Sequence, residues 1–209
     1  MLHRNECREC GENIDHGGTE KICDTDRQGM MRHGWTPRNI VLIGMPGSGK
    51  STIGVILAKL TGRDFVDTDV LIQTQQGRAL QDIVDQDGYE ALRAIEGKIL
   101  LALDCRNHVI ATGGSAVYCH AAMTHLKSSG IVVFLDVDLQ TVEQRVHDYE
   151  TRGLAKRPDQ SVTDLFAERS ALYRRYADVT IDCVGLSHEE VCAKIIEGLK
   201  AIKHKGRLQ

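Results

Sequence analysis

The sequence predicts an α/β protein, a three-layer sandwich in which helices cover both faces of a parallel sheet. From about residue 39 onward, apolar runs of strand length alternate with segments of helical period. This alternation is typical of parallel sheets joined by crossover helices. Two runs, NIVLIGM at 39–45 and IVVFLDV at 131–137, are almost continuously apolar, as strands buried on both faces are.

The elements can be assigned in chain order. The strand at 39–45 precedes a helix over 51–60, in which Ile53, Ile56, Leu57 and Leu60 repeat at helical spacing. Gly62 is a natural end for that helix. The other predicted strands lie at 64–69, 108–114, 131–137 and 178–183, and the other predicted helices at about 70–76, 79–86, 89–103, 119–128, 139–148, 161–176 and 187–203.

Length and composition restrict the class of protein. The 209 residues suggest one domain with a small appendage, and 42% hydrophobic with 26% charged residues is ordinary for a globular chain. A net charge of -3 offers no basic surface for nucleic acid or an anionic membrane. No apolar run approaches 18 residues, and the polar N-terminus does not resemble a secretory signal. Single, scattered cysteines add to the expectation of a cytoplasmic protein.

The segment GMPGSGKS, residues 44–51, matches the phosphate-binding pattern G-x-x-x-x-G-K-[ST] in full. It lies between a predicted strand and a predicted helix, as that pattern requires. Its glycines allow backbone N–H groups to surround a phosphate. Lys50 is expected to reach the β- and γ-phosphates of a nucleotide, and the Ser51 hydroxyl to ligate Mg²⁺.

Two acidic residues follow the second predicted strand in the sequence DTD. Asp67 and Asp69 alternate with Thr68, so both carboxylates are expected to emerge on the same side of an extended segment. One acid could then hold Mg²⁺ and the other could accept a proton from a hydroxyl nucleophile. The alternative is a solvated strand end with a helix cap at Asp69.

Arginines occur on two predicted helices. Arg93 lies between Glu90 and Glu96 at intervals of three, which makes one polar stripe on a helix. Arg169 lies in ERSALYRRYAD. By spacing alone, both are compatible with exposed, salt-bridged helix surfaces.

Five motifs together resemble shikimate kinases: GMPGSGKST, DFVDTD, GYEALRAIE, ATGGSAV and ERSALYRRYADVTID, in this order and at these separations, over about residues 38–203. The resemblance implies a P-loop, nucleoside-monophosphate-kinase-like fold with strand order 2-3-1-4-5 and a mobile lid at about 149–160. It implies ATP-dependent phosphorylation of the shikimate 3-hydroxyl by a monomeric chain.

The resemblance also assigns roles to individual residues. Asp69 corresponds to the base for the 3-hydroxyl, Asp67 to the acid near Mg²⁺, and Arg93 and Arg169 to the pair that holds the substrate carboxylate. Glu96 corresponds to the acid that orients the first arginine. Gly113 and Gly114 correspond to backbone beside the substrate ring. The implied ATP contacts are Gly47, Ser48, Gly49, Lys50, Ser51, Thr52, Arg145 and Arg152.

The sequence departs from the family pattern at three places. Ser115 stands where the family has a third glycine, so its hydroxymethyl group either points away or narrows and polarises the substrate pocket. The lid offers Arg152 or Arg157 as its arginine. The local Arg-Pro favours Arg157, but the spacing from Arg169 favours Arg152, which we expect to be the catalytic arginine over the transferring phosphoryl group. Ala171 replaces a common proline, which changes stiffness more than chemistry.

Residues 1–36 form an extension outside the resemblance, which covers the predicted domain at 37–209. Cys7, Cys10 and Cys23 provide three soft ligands for a small Zn²⁺ site, with His16 or His33 as a fourth. A disordered tail and a redox-active dithiol are the alternatives. For the whole chain, the alternatives to a shikimate kinase are a kinase for another small anionic hydroxy acid and a nucleotide-binding regulatory module with a silent core.

Overall fold

The computed structural model describes residues 38–145, 154–157 and 159–205. Backbone contacts divide the chain into two units, Met1–Trp35 and Thr36–Gln209. All the described residues belong to the second unit. The predicted extension, with its Cys7, Cys10 and Cys23, therefore lies outside the described residues, and the zinc hypothesis stays a prediction.

Five parallel strands form the described sheet, in the order β2-β3-β1-β4-β5, which confirms the predicted order. The strands are β1 (Asn39–Ile43), β2 (Asp64–Asp67), β3 (His108–Ala111), β4 (Gly130–Asp136) and β5 (Val179–Asp182). Every residue of β1 is buried. Because successive side chains of a strand point to opposite faces, both faces of the sheet centre must be covered.

Helices connect the strands as the sequence predicts. They are α1 (Lys50–Thr61), α2 (Thr68–Gln76), α3 (Leu80–Asp87), α4 (Tyr89–Ala102), α5 (His120–Ser129), α6 (Leu139–Arg145), α7 (Val162–Tyr176) and α8 (His188–Lys205), with a 3-10 turn at Ala116–Tyr118. Among the described residues, none of these helices combines the length and apolar character needed to cross a bilayer.

The buried face of α1 differs from the predicted stripe. Ile53 and Leu57 are buried, but Leu60 is 59% exposed. The reason is the contact of α1 with β2 through a glycine. A Cβ on Gly54 would lie 2.4 Å from the ring of Phe65, so the helix approaches the strand by its smallest residue. That approach fixes which side of the helix is covered, and Leu60 falls outside it.

The second strand is shorter than predicted, which corrects the extended arrangement expected for DTD. β2 ends at Asp67, and Thr68 begins α2. The side chain of Asp67 is the N-cap of α2: its Oδ1 accepts the backbone N–H groups of Asp69 at 3.0 Å and Val70 at 3.4 Å. This capping stops the strand and starts the helix. Asp67 and Asp69 therefore meet across a strand-to-helix junction, and the cap is Asp67 rather than Asp69.

Candidate active site

A cleft of about 560 Å³ lies where β1 and β3 end. The segments that follow these two neighbouring strands form much of its wall, as expected for a ligand site in a parallel α/β sheet. Its lining residues are Pro46, Gly47, Gly49, Lys50, Ser51, Thr52, Asp69, Ile72, Leu80, Leu92, Glu96, Thr112, Gly113, Gly114, Ser115, Arg145, Leu154, Ala155, Arg169 and His188. Most of the predicted site residues are therefore brought to one cleft.

The phosphate loop has the backbone geometry that its glycines allow. Gly47 and Gly49 have φ angles of 80° and 92°, in the left-handed region where a side chain is strained. Gly49 is also the N-cap of α1, without any side-chain cap. The N–H groups at the start of α1 are thus available to an anion, in the direction of the helix dipole.

Lys50 lies beneath the loop, with its side chain buried. Its Nζ donates to the carbonyl oxygens of Gly44 and Met45, both at 2.9 Å. Burial lowers the pKa of Lys50 to about 8, while the carboxylates of Asp69 and Asp67 oppose that shift. The ammonium therefore remains largely protonated at pH 7, beside the point where phosphates would lie.

Ser51 and Asp67 are in direct contact at the edge of the loop. The Ser51 hydroxyl donates to Asp67 Oδ2 at 2.5 Å, while Asp67 Oδ1 is used by the helix cap. Hydroxyl and carboxylate oxygens suit Mg²⁺, which usually keeps several waters and needs few protein ligands. The two side chains therefore fit the predicted metal role. No group of three or more His, Cys, Asp or Glu side chains that could hold a metal occurs in the described part of the chain.

Asp69 occupies the first turn of α2 and faces the cleft. Burial raises the pKa of its carboxyl to about 6; the Lys50 ammonium opposes this, and Asp67 adds to it. The carboxyl is therefore mostly ionised at pH 7 and can accept a proton. A group with these properties suits general-base catalysis.

Glu96 is buried, at 2% exposure, and is not part of a solvated stripe. Its Oε2 accepts a hydrogen bond from the Ser115 hydroxyl, and its Oε1 has no hydrogen-bond partner among the described residues. Burial and the nearby Asp69 raise the pKa of Glu96 to about 7, which the Ser115 hydrogen bond, Arg169 and Lys50 oppose. The implied role of Glu96 in orienting Arg93 is not supported, because Ser115 is its hydrogen-bond partner. The serine therefore points inward and polarises the cleft.

Gly113 and Gly114 allow side chains to come unusually close to the backbone. A Cβ on Gly113 would lie 2.4 Å from Glu96 Oε1 and 2.6 Å from Asp69 Oδ1, so these two oxygens are no more than about 5 Å apart. A Cβ on Gly114 would lie 2.9 Å from Arg169 Nη1. Only glycine leaves room for all three functional groups at this wall.

Arg93 and Arg169 converge on one oxygen. Arg93 Nη2 donates to the carbonyl of Ala155 at 3.0 Å, and Arg169 Nη2 donates to the same carbonyl at 2.8 Å. Arg169 is 1% exposed, so it is not a surface arginine. Arg93 does not line the cleft itself, but it contacts Ala155, which does. Two planar cations aimed at one acceptor form a geometry suited to a carboxylate.

The remaining predicted arginines have different positions. Arg145, the last residue of α6, donates from Nη1 to the Gly47 carbonyl at 3.3 Å, beside the phosphate loop. Arg157 lies 3.6 Å from the Glu168 carboxylate on α7. Arg152 lies outside the described residues, so the choice between these two lid arginines stays a prediction.

Sequence reasoning missed several residues of the site. Leu154 and Ala155 line the cleft. The Tyr173 hydroxyl donates to the Gly114 carbonyl at 2.7 Å, which holds the backbone of that glycine in place. Tyr118 lies against both Arg93 and Arg169. Nothing in the sequence pattern distinguishes these residues from ordinary core or loop positions, because their contacts are all made across the fold.

Comparison with known proteins identifies the family. The sequence pattern of the family described as Shikimate kinase matches residues 46–200. The chain belongs to the shikimate kinase family. A shikimate kinase of Halorhodospira halophila is 36% identical over 173 residues, which cover 81% of this chain and 98% of that protein.

Solved structures agree with this assignment. The chain is similar to a shikimate kinase from Acinetobacter baumannii in complex with shikimate, with a TM-score of 0.76 and 32% identity over 82% of this chain and 98% of that one. A deoxyadenosine kinase from M. mycoides shares the fold alone, with a TM-score of 0.52 and 16% identity over 78% of this chain and 99% of that one. The predicted fold class is thus confirmed as that of the P-loop kinases.

Membership of the shikimate kinase family makes this chain a small-molecule kinase. Enzymes of this family use ATP with Mg²⁺, and the loop at Gly44–Ser51 supplies the nucleotide end of the cleft. The other end carries carboxylates and convergent arginines. The cleft of this shikimate kinase family member therefore combines a phosphate-binding loop with groups suited to an anionic acceptor.

Proposed function

We propose that this chain transfers the γ-phosphoryl group of ATP to the 3-hydroxyl of shikimate, giving shikimate 3-phosphate and ADP. The observation that carries this proposal is the convergence of Arg93 and Arg169 on the Ala155 carbonyl, at 3.0 and 2.8 Å. The same cleft contains the phosphate loop and Asp69. An acceptor with both a carboxylate and a hydroxyl fits this arrangement.

ATP is held at the loop end. The backbone N–H groups of the loop, from Gly47 to Thr52, bind the phosphates. The Lys50 ammonium, which donates to two loop carbonyls in the free protein, donates to the phosphates when ATP is bound. Arg145, beside Gly47, adds a positive charge at the same end. In the transition state these fixed positive groups stabilise the charge that spreads over the transferring phosphoryl oxygens.

Ser51 and Asp67 are the residues that would hold Mg²⁺. The ion supplies neutralisation of phosphate charge when it is bound. The cap that Asp67 gives α2 also keeps its second oxygen turned toward Ser51. One side chain thus orders both the helix that carries Asp69 and the oxygen pair beside the loop.

Asp69 accepts the proton of the acceptor hydroxyl as the phosphoryl group arrives. Two observations support this role: the Lys50 ammonium acts electrostatically on Asp69, and a Cβ on Gly113 would lie 2.6 Å from Asp69 Oδ1. Arg93 and Arg169 fix the acceptor by its carboxylate, with the backbone of Gly113 and Gly114 beside the ring. Holding the acceptor at both ends gives the orientation that in-line transfer requires.

We infer that the segment that contains Ala155 moves when the acceptor binds. Its carbonyl now takes one donor from each arginine of the pair. A substrate carboxylate would replace that carbonyl as the shared acceptor. We infer that the lid at about 149–160, with Arg152 or Arg157, closes over the reacting groups and excludes water.

A coupled ADP-release assay tests the reaction. The purified chain with ATP and Mg²⁺ should release ADP with shikimate and much less with hydroxy acids of other shape. Asp69→Asn should abolish transfer and leave ATP affinity nearly unchanged, because the carboxylate lies outside the phosphate loop. Glu90→Gln, an exposed carboxylate on α4, is the matched control and should keep full activity.

Three results would contradict the proposal in different ways. Activity with another hydroxy acid, and none with shikimate, would change the substrate. ATP binding without turnover of any acceptor would favour the regulatory module. Normal turnover by Asp69→Asn would remove the base assignment alone. Monomeric state and cytoplasmic location stay predictions from the sequence, and size-exclusion chromatography with light scattering tests the first.

A further inference from the structure

The 3-10 turn after Gly114 places an aromatic ring against the arginine pair. The guanidinium carbon of Arg93 lies 3.7 Å from the centre of the Tyr118 ring, and that of Arg169 lies 5.5 Å from it. Tyr89 also contacts Arg93, with its ring centre 5.0 Å from the same carbon. Tyr118 is thus the ring shared by both arginines.

Neither arginine is paired with a carboxylate within the described ranges. Glu96 is the buried acid nearest to Arg93 on α4, and it accepts a hydrogen bond from the Ser115 hydroxyl instead. The two arginines share one hydrogen-bond acceptor, the carbonyl of Ala155. Glu168 acts electrostatically on Arg93 and Glu96 on Arg169, but neither carboxylate forms an ion pair with these arginines in the described ranges.

A ring and a carboxylate hold a guanidinium in different ways. A carboxylate binds the edge of the guanidinium and takes up to two of its five N–H donors. An aromatic ring attracts the flat face and leaves the donors at the edge free. Support from Tyr118 thus fixes the plane of Arg93 without competing with an anionic ligand for its hydrogen bonds.

We propose that Tyr118 is a positioning residue for acceptor binding, whose ring holds Arg93 and Arg169 face-on so that their N–H edges stay available to the acceptor carboxylate. The proposal rests on the proposed function for the identity of the acceptor. Tyr118 does not line the cleft, so it acts through the two arginines. Its effect belongs to the acceptor end and not to the nucleotide end.

Two substitutions of Tyr118 distinguish the contribution of the aromatic ring to acceptor binding from that of the hydroxyl. Tyr118→Leu removes the ring and should raise the KM and the calorimetric Kd for shikimate about tenfold, the size expected of a partly desolvated cation–π contact. Tyr118→Phe keeps the face and should stay within about twofold of the unchanged chain. The KM for ATP should not change in either variant. Tyr89→Leu is the matched control, since the Tyr89 ring lies farther from Arg93 than the Tyr118 ring does and, of the two arginines, contacts Arg93 alone. It should change the KM for shikimate by less than about threefold.

Each outcome bears on the proposal. Shikimate affinity within twofold of the unchanged chain for Tyr118→Leu would overturn it, and so would a loss in Tyr118→Phe as large as in Tyr118→Leu. An equal rise in the KM for ATP would assign Tyr118 a general structural role and also overturn it. If thermal melting shows that Tyr118→Leu does not fold, Tyr118→Met carries the same comparison. If the unchanged chain neither binds nor phosphorylates shikimate, the proposed function fails first, and this inference falls with it.

Discussion

Individual charged side chains differ in burial although their spacing in the sequence is the same. Glu90, Arg93 and Glu96 repeat at intervals of three on α4, yet Glu90 is exposed and Glu96 is 2% exposed. The spacing places them on neighbouring parts of the helix surface but does not say which part faces the cleft. Ser115 lies opposite Glu96 and supplies a hydroxyl for the buried carboxylate. The serine that departs from the family pattern therefore supplies the buried acid with its hydrogen-bond donor among the described residues.

The first residue-scale prediction concerns Glu96 and pH. The pKa of Glu96 is raised from 4.5 to about 7. The native state therefore binds more protons than the unfolded state between these pH values, so the free energy of unfolding falls as pH rises from about 4.5 to about 7. Glu96→Gln should remove this fall and raise the free energy of unfolding at pH 8 by on the order of 3 kcal/mol.

Urea unfolding at a series of pH values between 4 and 8 measures this effect. Glu90→Gln on the same helix is the control, because its carboxyl is exposed. Equal pH dependence in Glu96→Gln and the unchanged chain would contradict the assigned burial of a charged Glu96.

The segment that follows β3 is the element that organises the acceptor end of the cleft. Within a few residues it places Gly113 against Asp69 and Glu96, and Gly114 against Arg169. The Tyr173 hydroxyl on α7 holds the Gly114 carbonyl. A small change in this backbone would displace several functional groups at once. The motif ATGGSAV therefore forms a wall of the site and also sets the distances between functional side chains from different helices.

The element-scale prediction is that Gly114→Ala impairs acceptor binding. Its Cβ would lie 2.9 Å from both Arg169 Nη1 and Pro46 Cδ, so one of them must shift. We expect the KM for shikimate to rise about tenfold or more, with a loss of stability of about 1–3 kcal/mol. Steady-state kinetics and urea unfolding measure the two effects.

Gly77→Ala is the matched control at the end of α2. A Cβ there would meet nothing within 4 Å, but the φ of 63° is unfavourable for alanine. It should cost about 1 kcal/mol of stability and leave the KM for shikimate unchanged. If Gly114→Ala and Gly77→Ala had a similar KM for shikimate, the close approach of Arg169 to Gly114 would not matter for shikimate binding.

At the scale of the whole molecule, the described unit contains both ends of the proposed site. The loop after β1 and the segment after β3 come together because these strands are neighbours in the sheet. Residues 1–36 lie outside the family match at 46–200. The kinase chemistry should therefore not depend on them.

The whole-molecule prediction concerns this extension. Removal of residues 1–36 should leave kcat and KM for ATP and shikimate unchanged within about twofold, a difference of about 0.4 kcal/mol. If Cys7, Cys10 and Cys23 form the hypothesised Zn²⁺ site, the full chain should contain close to one zinc per molecule by mass spectrometry. The triple Cys→Ser variant should then lose it. Zinc-free full chain with freely reactive cysteines would exclude that hypothesis, and a loss of kinase activity on truncation would show that the extension takes part in catalysis.

The sequence by itself determined the strand order through its family resemblance, the phosphate loop, and the set of acidic and basic residues in the cleft. These features depend on local pattern, such as apolar runs, glycine spacing and order of motifs. Only the tertiary structure decided that Asp67 caps α2, that Glu96 pairs with Ser115, and that both arginines share the Ala155 carbonyl and the Tyr118 ring. The cap joins residues two and three positions apart, and it forms because β2 ends at Asp67. The other contacts join residues from different segments of the fold, and their energies depend on burial and orientation that no local spacing specifies.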